Sequence, residues 1–175
     1  MNVYLRNMTS VYLIKGDRIL LLLRQGGRVV NNVWIGTAGG HFEEYELNDP
    51  KACVIREMEE ETGLTENDIE DLQLRYITLR RISGEIRQNY FFFARLKDGV
   101  NENIVSNEGE CKWFPLEETG DLEMSYSAKY ALEHYRKIGR FTSEIYVGAA
   151  TGERVDFLKL ADNGEAVQQL NAAPK

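Results

Sequence analysis

The chain has 175 residues, 43% hydrophobic and 10% aromatic, which is enough to bury one core, so we expect a single domain over residues 1–175. Its formal net charge of -7 at pH 7 argues against nucleic-acid binding, which depends on clustered lysine and arginine. Cys53 and Cys111 have no CxxC partner, which predicts neither a disulfide framework nor a zinc site and favours the cytoplasm. The longest apolar run, Ile19–Leu23, is too short to span a bilayer, so we expect no membrane association.

Three strands are predicted before a pair of glycines. Val11–Ile14 and Ile19–Arg24 are apolar runs on either side of Lys15–Arg18, a glycine-containing turn, and this pattern predicts a hairpin. A further short apolar run, Val33–Ile35, leads to the pair Gly39–Gly40.

A helix is predicted from about Pro50 to Thr62. Asp49 is a suitable N-cap, and Pro50 suits the first helical position, where its missing N–H has no intrahelical partner. Gly63 can adopt the left-handed conformation that ends a helix.

The second half of the chain contains predicted strands around one further helix. In chain order we expect a long hairpin, a short strand, a helix and a final hairpin, which correspond to Leu72–Ile82 with Ile86–Leu96, Cys111–Phe114, Ser125–Ile138, and Glu144–Ala150 with Arg154–Leu160. Residues 163–175 are expected to be frayed or weakly helical. This mixture predicts an α+β or three-layer α/β/α arrangement with a mixed sheet, a core of about residues 8–138 and a C-terminal hairpin extension over residues 139–175.

The predicted helix carries an acidic face formed by Glu57, Glu60 and Glu61, which are spaced i, i+3 and i+4. Each like-charge pair at this spacing costs about 0.2–0.5 kcal/mol, and acidic groups in a last turn oppose the helix dipole. A bound Mg²⁺ would offset this repulsion, because it prefers hard oxygen ligands. Charge patterning alone more often indicates a solvated acidic surface.

The sequence around this acidic face resembles the Nudix box. Gly40 is followed by five residues and then by Glu46, and Arg56–Leu64 matches every fixed position of the second half of that motif. The nine residues between Glu46 and Arg56 exceed the family's seven, which we interpret as a two-residue loop insertion around Asn48-Asp49. Counting back strictly from Arg56 would instead place Asn48 at the glutamate position.

The resemblance implies an α/β fold, a Nudix-type α/β/α sandwich with a mixed β-sheet and the catalytic helix after a Gly-Gly loop. It also implies that the acidic face holds divalent ions, with Mg²⁺ as the cofactor and Mn²⁺ as a substitute. The implied metal ligands are Glu57, Glu60, Glu61 and the backbone carbonyl of Gly40. Arg56 and Glu46 are implied to form an ion pair that fixes the loop against the helix.

The general base is expected to be a glutamate, either a carboxylate of the helix such as Glu57 or one from a distant loop. Ser106–Glu110 resembles the place where some MutT-like members supply an extra carboxylate. Within that segment we choose Glu108 over Glu110, and an ordinary loop glutamate is the competing interpretation.

Together these features predict an enzyme, a Nudix hydrolase acting on phosphoric anhydrides. The expected reaction is Mg²⁺-dependent hydrolysis of a diphosphate linkage in a small nucleoside di- or triphosphate-like substrate, as in a MutT-like pyrophosphohydrolase. Dinucleoside polyphosphates or nucleotide sugars are alternative substrates, and a non-catalytic nucleotide-binding module is a further alternative that the full ligand set disfavours. An isomerase of isoprenoid diphosphates would need a well-placed cysteine. The protein could form a homodimer.

Three arginines on the long hairpin, Arg80, Arg81 and Arg87, could contact phosphates. A charged outer strand face is the preferred interpretation of these side chains.

Overall fold

The structure, a computed structural model, describes residues 4–25 and 32–162. In chain order its strands are β1 (Tyr4–Lys15), β2 (Arg18–Arg24), β3 (Val33–Ile35), β4 (Ile69–Ile82), β5 (Glu85–Leu96), β6 (Gly109–Pro115), β7 (Tyr146–Ala150) and β8 (Val155–Lys159). Its α-helices are α1 (Pro50–Thr62) and α2 (Tyr126–Lys137). The expected weakly helical tail, residues 163–175, lies outside the described residues.

The described strands form one mixed sheet in the order β3-β2-β1-β5-β4-β7-β8, with β6 paired to β2. The β1–β2 and β4–β5 pairs are antiparallel hairpins, whereas β1–β5 and β4–β7 are parallel. The last hairpin, β7–β8, therefore extends the sheet beyond β4. The predicted α/β class with a mixed sheet is confirmed.

The sheet lies between the two helices. Neighbouring residues of its central strands point to opposite faces, so one strand can contact both helices. On one face, Val11 and Leu13 of β1 pack in a buried cluster with Val54 and Met58 of α1. On the other face, Tyr12 of β1 packs in a second cluster that includes residues of α2. Burying a side chain the size of Met58 stabilises the fold by roughly 1.5–3 kcal/mol, so these contacts fix where α1 sits.

The ends of α1 are set by the residues that the sequence pattern indicated. The Asp49 side chain accepts a hydrogen bond from the Ala52 backbone N–H at 3.0 Å, Pro50 occupies the first turn, and Gly63 ends the helix with a φ of 73°. Because the last turn is fixed in this way, the carboxylates near it have a defined position relative to the sheet. None of the helices formed by residues 4–25 and 32–162 has the length and apolar character needed to cross a membrane.

Candidate active site

The acidic face of α1 meets the glycine loop, Gly39-Gly40, that precedes the helix in sequence. The Gly39 N–H donates a hydrogen bond to Glu61 Oε2 at 3.3 Å. A methyl group added to Gly40 would lie 2.5 Å from the carboxylate of Glu57. The loop is itself held on β1, since the Thr9 N–H donates to the Gly40 carbonyl at 2.9 Å. Glu57 and Glu61 thus project against backbone that is anchored in the sheet.

Arg56 joins the loop to the helix through a bidentate ion pair with Glu46. Its Nε and Nη2 donate to the two oxygens of Glu46 at 2.6 and 2.8 Å, and the Glu46 side chain is only 1% exposed. Nη2 also donates to the carbonyl of His41 at 3.1 Å. The structure therefore places Glu46, and not the exposed Asn48, against Arg56, in agreement with a loop insertion after Glu46.

The third member of the acidic face, Glu60, lies apart from the glycine loop. Its side chain is 59% exposed, and Arg56 Nη1 lies 3.1 Å from its Oε2 and 2.9 Å from Glu57 Oε1. Across residues 4–25 and 32–162, no three acidic, histidine or cysteine side chains converge as a preassembled ion site. Arg56 Nη1 therefore bridges the carboxylates of Glu57 and Glu60 in this arrangement.

Burial and like charges disfavour the ionised forms of the two carboxylates that face the loop. Burial raises the pKa of Glu61 to about 7; the Gly39 hydrogen bond opposes this shift, and the negative charges of Glu57 and Glu108 add to it. Burial likewise raises the pKa of Glu57, against the attraction of Arg56. A cation beside these carboxylates would stabilise their ionised forms.

Glu108 approaches the acidic face from the segment before β6. Arg24 Nη2 lies 2.8 Å from Glu108 Oε2, and Glu110 nearby is exposed. Asn107 docks this segment on the end of α1, because its backbone N–H donates to the Glu61 carbonyl and its side chain donates to the Glu60 carbonyl, both at 3.1 Å. The structure therefore brings Glu108 close to Glu61 across a long sequence separation.

Sequence reasoning did not identify two of these residues, Arg24 and Asn107. The last carbonyls of a helix have no donor within the helix. Asn107, which is next to Glu108 and can donate to such carbonyls, was therefore the available signal that this segment docks on α1. Arg24 gave no comparable signal, since its pairing with Glu108 requires β2 and β6 to be neighbours in the sheet.

A cavity of about 440 Å³ opens beside the glycine loop. Gly39 lines it together with the loop after β3, and its other walls come from β1, β2, β3, β4, β5 and the first turn of α2. Arg80 and Arg87 line this cavity, so at these two positions the expected outer strand face is a cavity wall, whereas Arg81 is exposed as expected. Their strands pair so that both side chains project to the same face as the cavity.

We expect Gly40→Ala to lower kcat/KM by about tenfold or more with little loss of stability, because misplacing a reacting group by about 1 Å is costly. The new methyl group would push against the movable end of Glu57, and the backbone at Gly40 is outside the left-handed region. Steady-state kinetics and thermal melting would measure the two effects.

Gly39→Ala is the matched control for this substitution. A methyl group there would contact the Thr9 backbone carbonyl, and the φ of 155° disfavours a side chain. Gly39→Ala should therefore destabilise the fold by about 1–3 kcal/mol. Normal activity in Gly40→Ala would show that the close approach of the Gly40 backbone to the Glu57 carboxylate is not needed for hydrolysis.

Comparison with known proteins identifies a family. The NUDIX domain model matches residues 5–135 of the chain. The fold resembles the mutator MutT protein from Bacillus halodurans, with a TM-score of 0.59 and 21% identity over 88% of this chain and 97% of that one. It also resembles a MutT NUDIX hydrolase from Burkholderia pseudomallei, with a TM-score of 0.57 and 24% identity over 74% of this chain and 96% of that one.

A third similar structure contains a bound ligand. It is the NUDIX domain of NrtR from Shewanella oneidensis in complex with ADP ribose, with a TM-score of 0.56 and 16% identity over 81% of this chain and 90% of that one. At this level of identity the three structures show a shared fold.

Proposed function

Because the chain belongs to the Nudix family and is a hydrolase of phosphoric anhydrides, we propose that it hydrolyses a diphosphate linkage in a nucleoside di- or triphosphate-like small molecule, with Mg²⁺ as cofactor. The observation that carries the proposal is the placement of Glu57 and Glu61 at the glycine loop, where a 440 Å³ cavity begins. A cytoplasmic location and a homodimer are further predictions from the sequence.

The residues at this place fit a divalent ion. Glu57 and Glu61 supply hard oxygen atoms, and a cation beside them would offset the burial and like charges that disfavour their ionised forms. The absence of a side chain at Gly40 leaves room directly beside the Glu57 carboxylate. Glu57, Glu60, Glu61 and the Gly40 carbonyl would hold the ion. When bound, Mg²⁺ supplies charge neutralisation on phosphate oxygens and activation of water.

Arg56 and Glu46 position the other groups. The Arg56 guanidinium contacts Glu46, Glu57 and the His41 carbonyl, so it fixes the side chain of one proposed ligand and the backbone of the loop together. Glu46, buried and bidentate, holds Arg56 in that orientation. We assign both as positioning residues of the reaction.

A carboxylate must accept the proton of the attacking water. Glu108 is one candidate, since it lies near Glu61 and is held by Arg24 at 2.8 Å. Glu57 is the other, since it faces the glycine loop directly. Comparing the pH–rate profiles of Glu108→Gln and the wild type distinguishes them, because only loss of the base removes the limb of the profile that reports its deprotonation.

Nucleotide sugars are the second substrate class to consider. ADP ribose, the ligand of the NrtR domain, contains a diphosphate joined to a nucleoside at one end and a sugar at the other. The cavity beside the glycine loop has room for a group attached to the diphosphate. Hydrolysis of nucleotide sugars requires the same acidic face. The two substrate classes therefore differ in the leaving group and not in the site that cleaves the diphosphate.

We expect hydrolysis to stop after exhaustive chelation and to return on addition of Mg²⁺ or Mn²⁺. The test is release of phosphate, pyrophosphate or nucleoside monophosphate from a panel of nucleoside di- and triphosphates, dinucleoside polyphosphates and nucleotide sugars. Ca²⁺ serves as a comparison ion, because it prefers more ligands and longer bonds than Mg²⁺. Undiminished turnover in excess chelator would contradict the metal-dependent reaction.

A further inference from the structure

The far end of the active-site cavity is basic, although the whole chain carries a net charge of -7. Arg80 on β4 and Arg87 on β5 line it together, and Arg24 lines the end near the glycine loop. Among the residues of the described ranges that line the cavity, none is acidic.

Arg80 and Arg87 are direct cross-strand partners in the β4–β5 pair. Like charges placed directly opposite one another destabilise a sheet, so this pair has a cost that stability alone does not justify. The positive charge of Arg87 is offset by Glu85, whose Oε2 lies 3.0 Å from Arg87 Nε. Arg80 has no carboxylate within ion-pair distance in residues 4–25 and 32–162, which leaves the pair with excess positive charge.

Tyr126 orients Arg80 within the cavity. The Arg80 guanidinium carbon lies 4.3 Å from the centre of the Tyr126 ring, at the start of α2. The Tyr126 ring attracts the guanidinium group without accepting any of its N–H donors in a conventional hydrogen bond, so these donors can bind an anion in a forked geometry. The site therefore has a held donor group and not only a general positive charge.

The separation from the proposed metal site follows from the strand register. Thr9, whose N–H donates to the Gly40 carbonyl, is paired with Tyr90 of β5, and Arg87 lies three residues before Tyr90 on that strand. At about 3.3 Å per residue, the backbone of Arg87 lies roughly 10 Å from the level of the glycine loop.

We propose that Arg80 and Arg87 bind a second phosphate group of the substrate, separate from the diphosphate that is cleaved at the glycine loop. This inference rests on the proposed function and deepens it: the preferred substrates are diphosphates that carry an additional phosphate on the attached nucleoside or sugar. Two arginine forks suit a phosphate, since each can donate two parallel hydrogen bonds. Arg80 and Arg87 are then specificity-determining residues.

Two matched substrate pairs test the inference. One pair is adenosine 5′-diphosphate with and without a 3′-phosphate, and the other is ribose 1-diphosphate with and without a 5-phosphate. In the wild type, the extra phosphate of at least one pair should raise kcat/KM by about tenfold or more, as hydrogen bonds to charged groups do. Arg80→Gln and Arg87→Gln should each reduce the ratio of the two kcat/KM values within that pair by about tenfold.

Arg81→Gln is the control, because it removes the same charge from the next position of β4, which projects to the opposite face. Arg81→Gln should keep the full wild-type preference for the substrate that carries the extra phosphate. Melting temperatures of the three variants would show whether each is folded.

A second measurement needs no turnover. In chelated buffer, calorimetric titration with adenosine 3′,5′-bisphosphate and with adenosine monophosphate should show tighter binding of the bisphosphate to the wild type, and equal binding to Arg80→Gln. Equal kcat/KM within both substrate pairs, or a preference that both glutamine variants retain, would overturn the inference. Absence of hydrolysis of every diphosphate would contradict the proposed function instead, and the binding titration would still decide the role of the arginines.

Discussion

Glu57→Gln and Glu61→Gln are each expected to lower turnover by about a hundredfold or more, since each removes a negative charge from a proposed metal ligand. Glutamine keeps the length of the side chain and an oxygen that can accept the Gly39 hydrogen bond or face Arg56. The shape of the site is therefore retained, and the loss reports the charge. Steady-state kinetics over a range of Mg²⁺ concentrations would separate weaker ion binding from a slower chemical step.

Stability should respond differently from activity. Burial and the charges of Glu57 and Glu108 disfavour the ionised form of Glu61, so Glu61→Gln should leave the metal-free protein unchanged or somewhat more stable. Glu59→Gln is the matched control, because Glu59 lies on the same helix but is exposed to solvent. If all three variants show the same turnover and the same metal-free melting temperature, the acidic face is a solvated surface.

The helix that carries these glutamates could be predicted because its signals are local. Asp49, Pro50 and Gly63 lie within one residue of its ends, and each acts through a backbone group of its own helix. The hairpins were predictable for the same reason, since their partners are close in sequence. The observed bounds of β4 and β5 differ from the expected ones by at most a few residues.

The start of β1 at Tyr4 could not be predicted in this way. Tyr4–Ser10 pairs in parallel with Glu85–Phe91, so its hydrogen-bond partner lies about eighty positions further along the chain. The same holds for the parallel pairing of β4 with β7. Because a parallel pair has no connecting turn that would mark it, the order of strands in the sheet is visible only in the structure.

The cavity depends on this long-range order. Arg80 and Arg87 lie in polar stretches of strands that, read alone, do not show which side is covered. Only the position of α2 over one end of the sheet converts the outer side into a cavity wall. Glu46, in contrast, could be identified without knowledge of the strand order, because the resemblance to the Nudix box identified it despite the additional loop residues.

Removing Arg56 is expected to have the largest effect on stability. Arg56→Met should cost about 3–5 kcal/mol at neutral pH, because it leaves the buried carboxylate of Glu46 without its partner. The double variant Glu46→Gln/Arg56→Met is the matched control, since it removes the charge together with the partner and should recover much of the loss. Urea unfolding of the metal-free proteins would measure these differences.

The pH dependence of this loss distinguishes charge from packing. The hydrogen bond from Arg56 lowers the pKa of Glu46 from 4.5 to about 2, which corresponds to roughly 3 kcal/mol. Because the pKa is depressed in the folded state, this stabilisation is fully present above about pH 4.5 and is lost as the pH falls towards 2. The difference in unfolding free energy between the wild type and Arg56→Met should therefore narrow across that window. The difference between the wild type and the double variant should narrow over the same window, because both comparisons contain the wild-type ion pair. An Arg56→Met deficit that stays constant from pH 7 to about pH 3 would mean that Arg56 stabilises the fold through packing of its side chain and not through Glu46.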